Sequence, residues 1–138
     1  MSDCCLQVKK YLPKEFNILE QYTQSLPGSN MSPASPFGGF VINLNVSTSL
    51  HRDWSDHLIC VVTVVSNCEG GELILVELGL VIKLRSGDTV IFPSHLITHL
   101  NMHFRGLRAS IVCHSDKFSQ QWVENRNNWQ MHSNFSSS

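Results

Sequence analysis

His51-Arg52-Asp53 brings together the side chains best suited to chemistry in this chain. It follows a polar turn, Ser47-Thr48-Ser49, at the point where the β-rich stretch 40–46 runs out. In extended backbone, residues i and i+2 point to the same side, so the His51 imidazole and the Asp53 carboxylate can face one way. Two such groups cover part of an octahedral metal face, and a third is needed. Two histidines with one carboxylate, leaving open positions, form the donor set of non-haem Fe(II) oxygenases. By itself HxD is common by chance and assigns nothing. The HRD triplet also opens the catalytic loop of protein kinases. Here Leu58 stands where that loop needs asparagine, and the chain has neither a Gly-rich phosphate loop nor a DFG motif.

A third ligand must come from another strand, and His57, His95, His99, His103 and His114 are the candidates. Nine residues after His99 stands Arg108, with Ser110 two residues further on. Arg108 and Ser110 share a face of any strand they occupy. A guanidinium fork beside a hydroxyl suits bidentate capture of a carboxylate. Taken singly, each histidine is most simply a satisfied or exposed side chain, and Arg108 a surface ion-pair partner. The ordered set of HxD, a GGEL turn, GDxxxFP, then His and RxS is far less common than its parts.

The elements that must position these residues are mostly strands. From residue 40 the stretches 40–46, 57–65, 70–78, 80–85, 88–93, 98–104 and 107–115 are rich in β-branched residues. Turn signals separate them at Glu69-Gly70-Gly71, Gly79, Ser86-Gly87-Asp88 and Arg105-Gly106. Seven short strands at this spacing predict an antiparallel sandwich or barrel. The run 57–65 is nearly all apolar, as in a strand buried on both faces. Upstream, Phe16, Leu19 and Tyr22 at three-residue spacing predict an amphipathic helix over 14–25, stopped by Pro27-Gly28. Residues 1–13 show no clear period, and 27–39 is a Pro/Gly/Ser-rich linker that could act as a lid. Residues 117–129 can form a short closing helix carrying Trp122, followed by a frayed tail. The expected organisation is therefore 1–39 as helix and linker packing on the core, 40–129 as the β domain, and 130–138 as tail.

The 138 residues suit one domain; 42% are hydrophobic and 15% charged, with formal net charge −1. Bulk charge gives no cationic track for nucleic acid. No apolar run is long enough for a membrane span, and the N-terminus reads as no secretory signal. Cys4, Cys5, Cys60, Cys68 and Cys113 are odd in number and contain no CxxC, which fits reduced thiols in a cytoplasmic or nuclear protein. A Ser–His–Asp hydrolase finds no GxSxG to support it.

The order of motifs resembles that of the Fe(II)/2-oxoglutarate-dependent dioxygenases, whose double-stranded β-helix carries HxD…H…R. The resemblance covers about residues 37–129. Within that superfamily, HRDWSDH, EGGEL, GDTVIFPSHLITHLN, GLRASIVCHSD and WVENRNNW are similar to small oxygenase-like domains abundant in mushroom-forming fungi. Those domains are related to the TET/base-J branch, which oxidises thymine or 5-methylcytosine. The resemblance implies an all-β double-stranded β-helix (jelly-roll or cupin-like) with short flanking helices. It implies Fe(II), 2-oxoglutarate as cosubstrate and O2. Residue by residue, His51, Asp53 and His99 match the iron ligands and thus the catalytic set. Arg108 matches the group that pairs with the distal carboxylate of 2-oxoglutarate, and Ser110 the hydroxyl of RxS. Asn43 and Asn45 resemble an inward polar pair that helps hold the cosubstrate. His95 is the rival ligand, but Thr98-His99-Leu100-Asn101 and the nine-residue step to arginine match the family better. His103 lies too near Arg108 for the usual turn and strand.

The chain is short for an oxygenase of this kind and shows no zinc or DNA-contacting element. The expected substrate is a small molecule or a protein side chain; nucleic acid follows from the resemblance only. The alternative is a catalytically silent β-helix or cupin-type domain that binds metal or a partner without turnover.

Overall fold

The computed structural model of the chain describes residues 3–26 and 32–117. Two helices, α1 (Asp3–Tyr11) and α2 (Pro13–Gln24), precede seven strands: β1 (Gly39–Leu44), β2 (Cys60–Gly70), β3 (Leu73–Leu75), β4 (Leu80–Ile82), β5 (Thr89–Phe92), β6 (His99–Asn101) and β7 (Phe104–His114). All pairings are antiparallel. One sheet has the order β1-β7-β2-β5, the other β4-β3-β6. Among the described residues the architecture is mostly β with two short helices.

The helical N-terminus is longer than its periodicity predicts. α1 forms where no period is legible: among its described side chains Val8 is the fully buried one, and Lys9 and Lys10 favour the negative end of the helix dipole. Proline at the first turn of α2 costs no hydrogen bond there. α2 buries Phe16, Leu19 and Thr23. Tyr22, expected on the apolar stripe, lies half-buried instead; its ring packs on His57 and its hydroxyl donates to the Asp116 carbonyl. The expected closing helix over 117–129 and the tail 130–138 lie outside the described residues, apart from Lys117, as do residues 27–31 of the linker.

The β2–β7 pairing is the longest in the molecule, running from Val61↔Cys113 to Gly70↔Phe104. Alternation along it gives the sheet two different faces. Outward-facing Val61 and Cys113 join Val8, Phe16, Leu19 and Phe37 in one core beneath the helices. Inward-facing Cys60 and Phe92 join Leu73, Leu75 and Ile97 in a second core between the two sheets. The stretch 57–65 is thus largely buried on both faces, as its composition predicts. Its strand starts later, at Cys60, after Leu58 takes a positive φ of 64°, and it runs on to Gly70. The stretches read as 70–78 and 98–104 shrink to the three-residue strands β3 and β6.

Arg105-Gly106, read as a turn, lies inside β7. Gly106 pairs with Cys68 at φ 112°, and a Cβ there would lie 2.3 Å from the Asn67 carbonyl oxygen. The glycine is needed for close approach of two backbones within the ladder. The chain does not reverse there: β6 and β7 run on in one register against β3 and β2, crossing between the sheets at Met102-His103, where the His103 carbonyl lies within 2.4 Å of where a Gly70 Cβ would sit.

Gly106→Ala is expected to lower stability by roughly 1–3 kcal/mol, read as a lower urea midpoint at unchanged slope. An unchanged midpoint would remove the close approach. Burial pushes the Cys60 thiol up to about 12. Alkylation of the native protein at pH 8, mapped by mass spectrometry, should therefore modify half-buried Cys68 well before Cys60. Equal labelling would contradict the packing of Cys60 between the sheets.

Candidate metal centre and cavity

The segment that carries His51 and Asp53 is not a strand. It is held by backbone hydrogen bonds to the region around β6. His51 N–H donates to the His99 carbonyl (3.1 Å) and His99 N–H to the His51 carbonyl (2.9 Å), while Asp53 N–H donates to the Ser94 carbonyl (3.1 Å). The two histidines are thus a directly opposed pair, their ring centroids 4.3 Å apart. Because Asp53 lies two residues from His51, its carboxylate turns to the same side. Asp53 Oδ1 is 3.5 Å from His51 Nε2, and Oδ2 is 3.4 Å from His99 Nε2. One ligand atom from each of the three residues lies within 4.8 Å of the others, the one such group among the described residues.

The far side of each imidazole is engaged. His51 Nδ1 is 2.7 Å from the Ser49 carbonyl, and His99 Nδ1 is 2.8 Å from the Ile97 carbonyl. A carbonyl can only accept, so each Nδ1 carries a proton, and Nε2 is the ring nitrogen that faces Asp53 and that a metal would take in place of a proton. Phe92 packs edge-on to His99 and restricts its ring. The hydrogen bond from His99 and the nearby imidazoles hold the Asp53 carboxyl below its ordinary value, against the effect of burial. Burial disfavours the His99 imidazolium, but the bonds to Asp53 and the Ile97 carbonyl outweigh it and raise the pKa. An ionised carboxylate and two imidazoles with oriented Nε2 atoms are a donor set that fits a divalent transition metal.

The three residues open on a cavity of about 300 Å³ between the sheets. Its apolar floor includes Val62, Leu73 and Phe92, and its polar wall includes Asn43, Ser110 and His114. Asn43 and Ser110 are direct partners across β1 and β7. Asn45 is placed elsewhere: it lies beyond β1 at φ 51°, its side-chain oxygen accepts the Arg108 N–H at 2.9 Å, and it does not line this cavity. Arg108 shares the inward face of β7 with Ser110, Val112 and His114. It is 5% exposed, with Phe104 beneath its guanidinium and Gly71 beside its stem. The guanidinium has neither a carboxylate partner nor a hydrogen bond among the described residues. Burial pulls its pKa down.

The rival histidines are placed apart from the group. His95 does not line the cavity, His103 is exposed, and His57 packs on Tyr22. His114 lines the cavity beside Asp56, 3.6 Å from its carboxylate. Asp56 is a cavity residue that sequence reasoning missed. It is 7% exposed and accepts the Ser94 hydroxyl proton at 2.5 Å, and burial raises its pKa. Only its position three residues after Asp53 could have drawn notice, and that spacing predicts no shared face on a strand.

No protein-family model matches the sequence, and no curated protein matches it. Among solved structures, the fold is similar to that of NgTET1, which was solved in complex with 5mC DNA. The TM-score is 0.64 and the identity 18%, over 82% of this chain and 48% of that one. An oxidoreductase of the 2OG-Fe(II) oxygenase family from Burkholderia pseudomallei is matched at a TM-score of 0.46 and 24% identity, over 55% of this chain and 44% of that one. The chain thus spans about half the length of the NgTET1 chain and shares its fold over that part.

Proposed function

We propose that this chain is an Fe(II)- and 2-oxoglutarate-dependent dioxygenase domain built on a double-stranded β-helix. The observation that carries the proposal is the convergence of His51, Asp53 and His99 on one point, with both Nδ1 atoms tied to carbonyls and both Nε2 atoms turned inward. Iron would be held by those two Nε2 atoms and an Asp53 oxygen. When bound, iron with 2-oxoglutarate and O2 supplies oxidation of a substrate C–H bond, with decarboxylation of 2-oxoglutarate to succinate.

The chain's own residues bind and orient. Arg108 is a buried cation without a protein anion among the described residues, and leaving such a charge unpaired is costly unless a ligand completes it. The distal carboxylate of a dicarboxylic acid fits that need, with Ser110 two residues along the same face as a hydrogen-bonding group. Asn43 faces the same cavity as Ser110, and Asn45 pins the backbone of Arg108. Val62, Leu73 and Phe92 give the cavity an apolar floor beside these polar groups. A small molecule or protein side chain is the proposed substrate. The likeness to NgTET1 in complex with 5mC DNA supports a nucleic-acid base as the second reading, which the net charge of −1 disfavours.

Anaerobic titration of the metal-free protein with Fe(II) and then 2-oxoglutarate tests the proposal. A visible charge-transfer band should appear only with both components, and His99→Ala and Asp53→Ala should abolish it while far-UV circular dichroism is kept. A parent protein that gives no band, or a variant that gives the parent band, would refute the ligand set. Arg108→Gln should leave Fe(II) binding intact and weaken 2-oxoglutarate by roughly 10–100-fold, the value of a charged hydrogen-bonded contact. Unchanged affinity for 2-oxoglutarate would take Arg108 out of the site.

A further inference from the structure

The two segments that carry the triad are also tied from outside the cavity. Arg52 and Thr98 each adjoin a triad residue, so their side chains point away from the cavity. Both meet the carboxylate of Glu77, in the turn between β3 and β4. Arg52 Nη2 donates to Glu77 Oε1 at 2.9 Å, and Arg52 Nε donates to Thr98 Oγ1 at 3.0 Å. The Thr98 hydroxyl donates to Glu77 Oε1 and the Thr98 backbone N–H to Oε2, each at 2.7 Å. Val76 N–H, next to Glu77, donates to the Thr98 carbonyl at 2.9 Å. One carboxylate therefore accepts three hydrogen bonds from both ligand-bearing segments. The Thr98 hydroxyl bond holds the Glu77 carboxyl down at about 2, so the clamp is ionised at neutral pH.

We infer that Glu77 is a positioning residue for the metal centre, setting through Arg52 and Thr98 the separation of the His51–Asp53 segment from His99. The inference rests on the metal-site reading above. An exposed Arg–Glu pair contributes little to global stability. The bonds to Thr98 add something such a pair lacks, since they fix the segment entering His99 by backbone and side chain together. Groups that orient ligands from behind affect metal affinity by about 10–100-fold when removed.

Cobalt(II) alone is the probe, read by its visible d–d absorption and by calorimetry on the metal-free protein, with urea unfolding alongside. Glu77→Gln keeps the size but loses the charge and presents an amide N–H₂ to its donors. It should bind Co(II) about tenfold or more weakly, with an altered d–d spectrum, at an unchanged urea midpoint. Thr98→Val should behave likewise, and Thr98→Ser, which restores the hydroxyl, should return toward the parent; this pair decides the matter if Glu77→Gln does not fold. Parent-like affinity and spectrum in Glu77→Gln and Thr98→Val would overturn the inference. So would a loss of affinity that merely tracks a lowered urea midpoint. A parent protein that binds no Co(II) would overturn the metal-site reading itself, and this inference with it.

Discussion

The antiparallel ladder between β2 and β7 is the constraint on which the rest depends. Its ten residue pairs set the register of both strands, and a slip by one residue would exchange their faces. In the observed register Val61 and Cys113 meet the helices, while Ser110 and Val112 meet the cavity. β1 takes its register from β7, and so Asn43 arrives opposite Ser110. Gly106 permits the ladder to continue to Gly70, where the chain can turn toward β3 and the second sheet. The geometry of the His51, Asp53 and His99 group is a further consequence, since β6 reaches its place through β3 and then receives the His51 segment.

What could be read from the sequence follows the range of the interactions involved. The i, i+2 relation of His51 and Asp53 is local, and so is that of Arg108 and Ser110; both pairs share a face in the folded chain. The strands announce themselves by β-branched composition, and the mostly β architecture with a helix over most of 14–25 was legible. Elements set by distant contacts were not. α1 lacks a period because its neighbours supply its burial. Gly106 resembles turn chemistry, yet its role is to let Asn67 and Cys68 approach. Asn45 keeps the sequence parity of Asn43, but its positive φ breaks the alternation and turns its side chain to the Arg108 backbone. Glu77 and Asp56 carry no local signal, since their side-chain partners lie 21 to 58 residues away.

The inward face of β7 is a poor core by the standards of a sandwich. Arg108, Ser110 and His114 occupy positions where apolar residues would be more stabilising. The fold compensates by dividing its apolar burial between two places. One core lies outside the sheet beneath α1 and α2, and the other fills the space between the sheets around Leu73, Leu75 and Phe92. The helices therefore do more than flank the domain: they bury the outer side of the β2–β7 ladder and free its inner side to carry polar groups. A cavity lined by Ser110 and His114, with buried Arg108 on the same strand face, can persist because the strand that bears them is anchored from behind by Val61, Cys113, Phe16 and Leu19. On this view, substitutions beneath the helices act on the cavity through the register of β7, whereas substitutions of Ser110 and His114 on its inner face act on the cavity lining directly.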